Sequence, residues 1–216
     1  PGAHEETCPV YAKILALKLL VRFAQVLGDD YRLQRIIPYI LAVLPHSEDK
    51  PLIRAYVIRC LTQVLELVDA GEVAVFPTYL LPAIAPFSKD PDETVREALA
   101  SCFASLVSSA RRLTETALAV DQGIDNALHD LRKAFHAMLR DLFEDHSMAV
   151  KRRILMSLTP LCLFFGRRIS GETIVPFVIS FMSNSMWQLR VAAYHHLLGV
   201  LSIVGTKSLE DVTVVL

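Results

Sequence analysis

Residues 82–96 read PAIAPFSKDPDETVR. An apolar stretch carries Pro82, a short polar turn carries Asp90, and the chain then resumes on an apolar residue followed by a base, Val95-Arg96. That order describes one helix bent by a proline, a turn, and the start of a second helix.

The pattern recurs along the chain. Asp49 precedes Ile53-Arg54, Asp145 precedes Val150-Lys151, and Asn184 precedes Leu189-Arg190. The four bases Arg54, Arg96, Lys151 and Arg190 recur about every 40 residues, with a longer gap between Arg96 and Lys151. Pro38, Pro82 and Pro176 lie at matching distances before Arg54, Arg96 and Arg190, and Ala137 takes that place before Lys151. Gly166 follows Lys151 at the same spacing as Gly205 follows Arg190.

Between the turns the apolar spacing is helical. Ile14, Leu17, Val21 and Ala24 recur at three and four residues, with Lys13, Lys18 and Arg22 off that stripe. Helices are expected over 10–27, 31–44, 52–68, 75–87, 92–118, 126–143, 149–165, 173–182 and 187–204. No stretch alternates with period two and no Asn-Gly or Asp-Gly hairpin occurs, so the fold class is all-α. Residues 111–122 read either as an extension of the long 92–118 helix or as an exposed insertion.

Composition sets the outer limits. The chain has 216 residues, 53% apolar and 21% charged, with 8 Gly and 11 Pro, which excludes a disordered or low-complexity chain. A net charge of −1 excludes a protein built to coat nucleic acid. The longest uncharged run, Thr173 to Leu189, contains a proline and several polar residues. It falls short of the roughly 20 apolar residues that a spanning helix needs, so no membrane span is expected. Cys8, Cys60, Cys102 and Cys162 are widely spaced in apolar surroundings and read as buried free thiols. The first ten residues carry no basic region of a signal peptide. Both ends read as cuts through a longer array, which predicts apolar end faces prone to association.

A period of about 40 to 47 residues with this signature resembles HEAT repeats. The resemblance implies an α-solenoid of about four repeats, at 31–70, 72–119, 124–166 and 171–205, with partial units at 10–28 and 208–216. In such an array the turn Asp can cap the helix after it. The base can reach the turn acid of a neighbouring unit, so Asp49, Arg54, Asp90, Arg96, Asp145, Lys151, Asn184 and Arg190 would form a structural ladder.

Catalytic chemistry finds little support. There is no GxSxG, GxxxxGK[ST], HExxH or GxGxxG. Phe164-Phe165-Gly166 has Phe where the kinase metal-binding triplet has Asp, so it reads as core plus a helix-ending glycine. Asp125, His129 and His136 lie along one helix but lack a further strong ligand, so no metal or cofactor is expected. His195 and His196 should diverge, one packed and one exposed. Charge is more informative. Residues 148–207 hold seven bases against the single acid Glu172, whereas residues 1–108 hold 10 bases and 13 acids. Arg152, Arg153, Arg167 and Arg168 form the candidate partner patch, the last two expected in a loop after Gly166. The alternative is that they are solvated and complement a helix C-terminus.

Several stretches narrow the resemblance. They are residues 13–20 (KILALKLL), 35–41 (RIIPYIL), 76–84 (FPTYLLPAI) and 161–167 (LCLFFGR), followed by Trp187-Gln188-Leu189-Arg190 and residues 200–205 (VLSIVG). Together they are similar to the central HEAT region of the protein-kinase-like regulatory subunit of the class III phosphatidylinositol 3-kinase complex. The likeness covers about residues 10 to 206. It departs over residues 111–128 and at Ala137.

The resemblance implies a helical scaffold between a kinase-like domain and a β-propeller. Its implied partners are those flanking domains, the lipid kinase catalytic subunit and a beclin-like coiled-coil subunit, with no nucleic acid and only indirect membrane contact. It implies a cytoplasmic location, peripheral on endosomal or autophagic membranes, in endosomal sorting and autophagy. The family's kinase residues fall outside residues 1–216, so no catalytic residue is expected here. The alternatives are a generic HEAT adaptor of transport or phosphatase type, which one Trp and two Asn disfavour in its importin form, and direct contact of the basic end with a membrane or nucleic acid.

Overall fold

The computed structural model describes the backbone of residues 2–69, 75–118 and 125–205, with side chains for 10–69, 76–116 and 128–205. All regular structure among the described residues is helical. The chain divides into two compact units, Pro1–Leu131 and Arg132–Leu216.

The first unit contains α1 (Gly2–Val26), α2 (Asp29–Tyr31), α3 (Ile37–Leu41), α4 (Pro51–Glu66), α5 (Leu81–Ile84) and α6 (Glu93–Leu118). The division falls within α7 (Asp125–Glu144). Helix α4 is the centre of the first unit and packs against both α1 and α6. Its buried residues therefore occur on several faces: Ile53, Val57, Ile58, Leu61, Val64 and Leu65 are all at most 1% exposed. Helix α1 begins at Gly2, well before the expected start at Val10. Its outer face carries Tyr11, Leu15, Leu19 and Phe23, all exposed. Helix α6 continues through Leu118, so 111–118 is helix extension, and residues 119–124 lie outside the described set, as do Gly71 and the expected unit at 208–216.

The second unit holds most of α7, then α8 (Met148–Leu155), α9 (Leu158–Ile169), α10 (Val175–Met182) and α11 (Trp187–Val204). Helix α11 packs against α8, α9 and α10. Phenylalanines knit this core. Phe135 meets Phe164 edge-on at 5.9 Å, Phe164 meets Phe165 at 5.0 Å, and Phe143 stacks on Phe177 at 4.9 Å.

One helix was expected over 149–165, and the chain forms two. Pro160 explains the break. Its ring would clash with the carbonyl of Met156 and its missing N–H cannot bond there, so α8 ends and Pro160 falls in the first turn of α9. The hydroxyl of Ser157 donates to the Ile154 carbonyl at the junction.

Pro38, Pro82 and Pro176 share a more particular geometry. A π-helical turn precedes each: Arg32–Ile36 before Pro38, Val75–Leu80 before Pro82, and Ser170–Ile174 before Pro176. Each proline stands two residues beyond the last π residue. Widening the turn moves the carbonyl that the ring would strike, so each proline is accommodated next to a π-helical turn.

Candidate functional site

The four inter-helix turns are built largely by their own residues, three of them in a common way. Asp90 Oδ1 accepts from the Asp92 N–H at 2.9 Å, Asp145 Oδ1 from the Ser147 N–H at 2.7 Å, and Asn184 Oδ1 from the Met186 N–H at 2.9 Å. The turn Asp or Asn thus closes a tight turn two residues ahead rather than capping the next helix. In two of these turns capping falls to the residue two places on. Asp92 accepts from the Thr94 N–H, and Ser147 accepts from the Ala149 and Val150 N–H groups.

Asp49 departs from this scheme. It stands five residues before Arg54, whereas Asp90, Asp145 and Asn184 stand six before their bases, and it is exposed. Asp49 therefore stands one residue out of register with the other three turn residues.

The bases fold back onto their own turns. Arg96 Nη1 donates to the carbonyls of Asp90 and Pro91 at 2.7 and 3.1 Å, and Arg190 Nη1 to those of Asn184 and Ser185 at 2.8 and 2.9 Å. Arg54 Nη1 donates to the carbonyls of Ser47 and Glu48. Its remaining nitrogens reach the next turn, where Nε and Nη2 donate to Asp90 Oδ2 and Oδ1 at 2.8 and 2.9 Å. The hydrogen bond to Asp90 raises the Arg54 pKa above its ordinary value, against the opposing effect of burial. Lys151 has no fork to grip two carbonyls and is half-buried.

Two arginines outside the expected set hold helix ends. Arg32 donates to the Ala24 carbonyl near the end of α1 and to the Leu67 carbonyl beyond α4, and its Nη1 also meets Asp29 at 2.7 Å. Arg112 Nη2 donates to the Leu65 and Glu66 carbonyls from α6. Terminal carbonyls lack helical partners and carry the negative end of the dipole, so a guanidinium satisfies both. The sequence offered no periodic signal for either residue.

The arginines of the basic end are exposed but not gathered at one point. Arg152 and Arg153 stand on α8, and Arg152 lines a cleft with Gln188 and Leu189 at the start of α11. Arg167 lies at the other end: a Cβ on Gly205, the residue after α11, would sit 2.8 Å from its Nη2. The 18 residues of α11 separate these positions by roughly 27 Å. Arg167 and Arg168 are also not in an open loop. The backbone breaks at Gly166 (φ 77°, ψ 172°) and Arg167 opens a new helical turn, in which Arg168 lies 3.8 Å from Glu172. Gly205 repeats the conformation with φ 93° and ψ 175°.

The remaining candidate groups have varied surroundings. His136 Nε2 lies 2.8 Å from Thr173 Oγ1 and the ring packs edge-on to Phe165. The Asp125 side chain lies outside the described residues. His195 is exposed and His196 half-buried, as expected, but the two rings stay together, edge-on at 5.1 Å, and burial, then His195, lowers the His196 pKa. Burial raises the thiols of Cys60 and Cys162 to about 11 and pushes half-buried Cys102 upward. The Cys8 side chain is outside the described set.

A family model described as PIK3R4-like, middle domain, matches residues 5–216. The chain belongs to the PIK3R4-like middle-domain family. The family resemblance drawn from the matched stretches holds, and the chain corresponds to a Vps15/PIK3R4 helical region. Among its curated relatives, it is 33% identical to the probable serine/threonine-protein kinase vps15 of Dictyostelium discoideum, over 89% of this chain and 11% of that protein. It is 27% identical to serine/threonine-protein kinase VPS15 of Arabidopsis thaliana, over 81% of this chain and 14% of that protein. The Saccharomyces cerevisiae VPS15 is likewise 27% identical, over 78% and 13%. This PIK3R4-like middle domain therefore spans a small fraction of the length of the relatives it matches.

Proposed function

We propose that this PIK3R4-like middle domain is a non-catalytic α-solenoid of HEAT repeats that acts as a scaffold. It would hold an upstream kinase-like domain and a downstream β-propeller apart and help organise a class III phosphatidylinositol 3-kinase complex in endosomal sorting and autophagy. The observation that carries this reading is the pair Arg54–Asp90, in which the base of one unit grips the turn acid of the next across 36 residues. Such contacts between neighbouring units suit an element that must transmit position, since each repeat in a solenoid is held by its neighbours. The family match supports the placement, and the names of the relatives support the kinase assembly.

In this reading Asp90, Arg96, Asp145, Lys151, Asn184 and Arg190 are structural positions of the array, and Pro38, Pro82 and Pro176 set its helix bends. Arg152, Arg153, Arg167 and Arg168 offer positive charge to subunits of the complex, on membranes reached through that complex.

The test is co-elution on size exclusion of the 216-residue chain with the lipid kinase catalytic subunit and its beclin-like partner. Wild type is compared with Arg152→Glu/Arg153→Glu and with Arg168→Glu. Co-elution lost in a charge-reversed variant that still folds supports the scaffold and places the contact. Absence of co-elution with folded wild type would assign assembly to the flanking domains and overturn the organising role.

A further inference from the structure

Helix α11 leaves open to solvent a face that its counterpart in the first unit buries. Trp187, Val191, Tyr194 and Leu198 recur along it at steps of four, three and four residues, and all are exposed, Leu198 at 79%. The other faces of α11 pack on α8, α9 and α10. Val191, Tyr194 and Leu198 stand one, four and eight residues after the base Arg190. The same steps after Arg54 reach Ala55, Ile58 and Thr62 of α4, all at most 4% exposed. Thr62 lies in hydrogen-bond reach of Cys102 on α6, so this face of α4 turns to the next long helix. The bases differ in the same way. Arg54 holds its own turn with Nη1 and takes Asp90 with Nε and Nη2. Arg190 holds the carbonyls of Asn184 and Ser185 with Nη1, but its Nε and Nη2 have no partner and stay open to solvent. Two free parallel donors of a guanidinium match the two oxygens of a carboxylate.

We propose that α11 docks a further helix-turn-helix unit of the same polypeptide, lying beyond Leu216. The second helix of that unit packs its apolar face on Val191, Tyr194 and Leu198, as α6 packs on α4. An Asp or Glu in its turn takes Nε and Nη2 of Arg190, as Asp90 takes those of Arg54. Register places that acid. Asp90 follows Arg54 by 36 residues, and the same step from Arg190 ends about ten residues beyond Leu216. The relatives run well past the matched region, which covers 11 and 14% of two of them. A second copy of this chain fits the face less well. Residues 187–204 hold no Asp or Glu, so pairing α11 with α11 would bury two guanidinium forks without an anion. The inference rests on the solenoid reading above and adds to it the face, the occupant and the register of the next unit.

The test uses the full-length polypeptide that carries these residues, with Leu198→Cys as reporter and Met156→Cys, at the exposed residue just beyond α8, as reference. Maleimide labelling is read by peptide mass spectrometry, which separates each introduced thiol from the native ones. Leu198→Cys should label about tenfold or more slowly than in the same polypeptide cut after Leu216, with Met156→Cys equal in both. In the full-length chain, replacing the acid at that register by its amide should restore fast labelling. Arg190→Ala should do the same, and the two changes together no more than either alone. Changing the acid leaves the contacts of Arg190 with its own turn intact, so misfolding of that turn cannot mimic the result. Fast labelling of Leu198→Cys in the full-length chain would overturn the proposal. So would protection that is lost on dilution, which would assign the face to a second copy. Protection that requires phosphatidylserine vesicles would overturn it in favour of a membrane, and protection indifferent to every acid of the following turn would overturn the grip of Arg190. Loss of co-elution with the lipid kinase leaves the labelling rates unchanged. Fast labelling with co-elution kept would end the array at α11 without removing the scaffold, so the two proposals fail separately.

Discussion

Arg54 and Asp90, 36 residues apart, meet through two parallel hydrogen bonds at 2.8 and 2.9 Å, with side chains 11% and 7% exposed. A pair this far from water is costly to break from one side. Asp90→Ala leaves the guanidinium buried without its anion and should lose about 3–5 kcal/mol. Asp90→Asn keeps an acceptor for the Asp92 N–H and should lose less. Arg54→Lys keeps the charge without the fork, so it should fall between wild type and Asp90→Ala. Urea unfolding at neutral pH checks the order. A loss below about 1 kcal/mol for Asp90→Ala, the range of a surface pair, would show that this contact does not join the two turns energetically.

The two glycines after α-helical cores differ in their surroundings, and that difference separates strain from collision. Gly166 and Gly205 both have positive φ with ψ of 172° and 175°, a conformation essentially confined to glycine. A Cβ on Gly166 meets nothing within 4 Å. Gly166→Ala should therefore cost the backbone strain alone, about 1–3 kcal/mol. Gly205→Ala adds a contact with Arg167, so pairing it with Arg167→Ala should recover part of its loss, while the same partner change leaves the Gly166→Ala loss unchanged. Thermal unfolding of the single and paired variants is sufficient.

Arg32 and Arg112 bind the carbonyl end of α4 from two sides. Replacing either by Ala strands buried or half-buried carbonyls, and each should cost about 1–3 kcal/mol. Their effects should not add, because they share one helix end. Hydrogen exchange should report faster opening of the last turn of α4 in each variant. Unchanged exchange there, with stability lost elsewhere, would remove the capping role.

Thiol burial makes a prediction with a definite sign. Cys60 and Cys162 are held at about 11, above the ordinary thiol value of 9.0. Below pH 9.0 both the folded and unfolded states keep these protons, so the contribution is fully present. Between 9.0 and about 11 the unfolded chain has released protons that the folded chain retains. Stability therefore falls as pH rises through that window. Cys162→Ala should flatten that limb relative to its own value at neutral pH. A limb of unchanged slope in Cys60→Ala/Cys162→Ala would trace the alkaline loss to other groups.

The helical class was readable because its cause is local. Apolar residues three and four apart dictate a face, and polar turns with Asp or Asn interrupt it, so Asp90, Asp145 and Asn184 were recognisable as turn residues before any contact was known. The prolines were legible as interruptions of regular helix for the same reason. The π-helical turns before Pro38, Pro82 and Pro176 were not, since the chain there has several ways to relieve a ring clash. Pro160 was the missed local cue: it splits the expected 149–165 helix by the same clash.

The site was legible in residue type and much less in placement. Charge counting found the bases of residues 148–207. Linear order could not separate Arg152 from Arg167, which packing sets near opposite ends of α11. Nor could it reveal the reach of Arg32 and Arg112 to the carbonyls at the end of α4, 35 and 47 residues away, which leaves no trace in side-chain spacing. Periodicity and turn chemistry act between neighbours in the chain, so the sequence alone decides helix, turn and proline bend. The grip of Arg54 on Asp90 and the free donors of Arg190 depend on which helices pack together. That choice follows from burying apolar faces whose shape exists only once the helices have met.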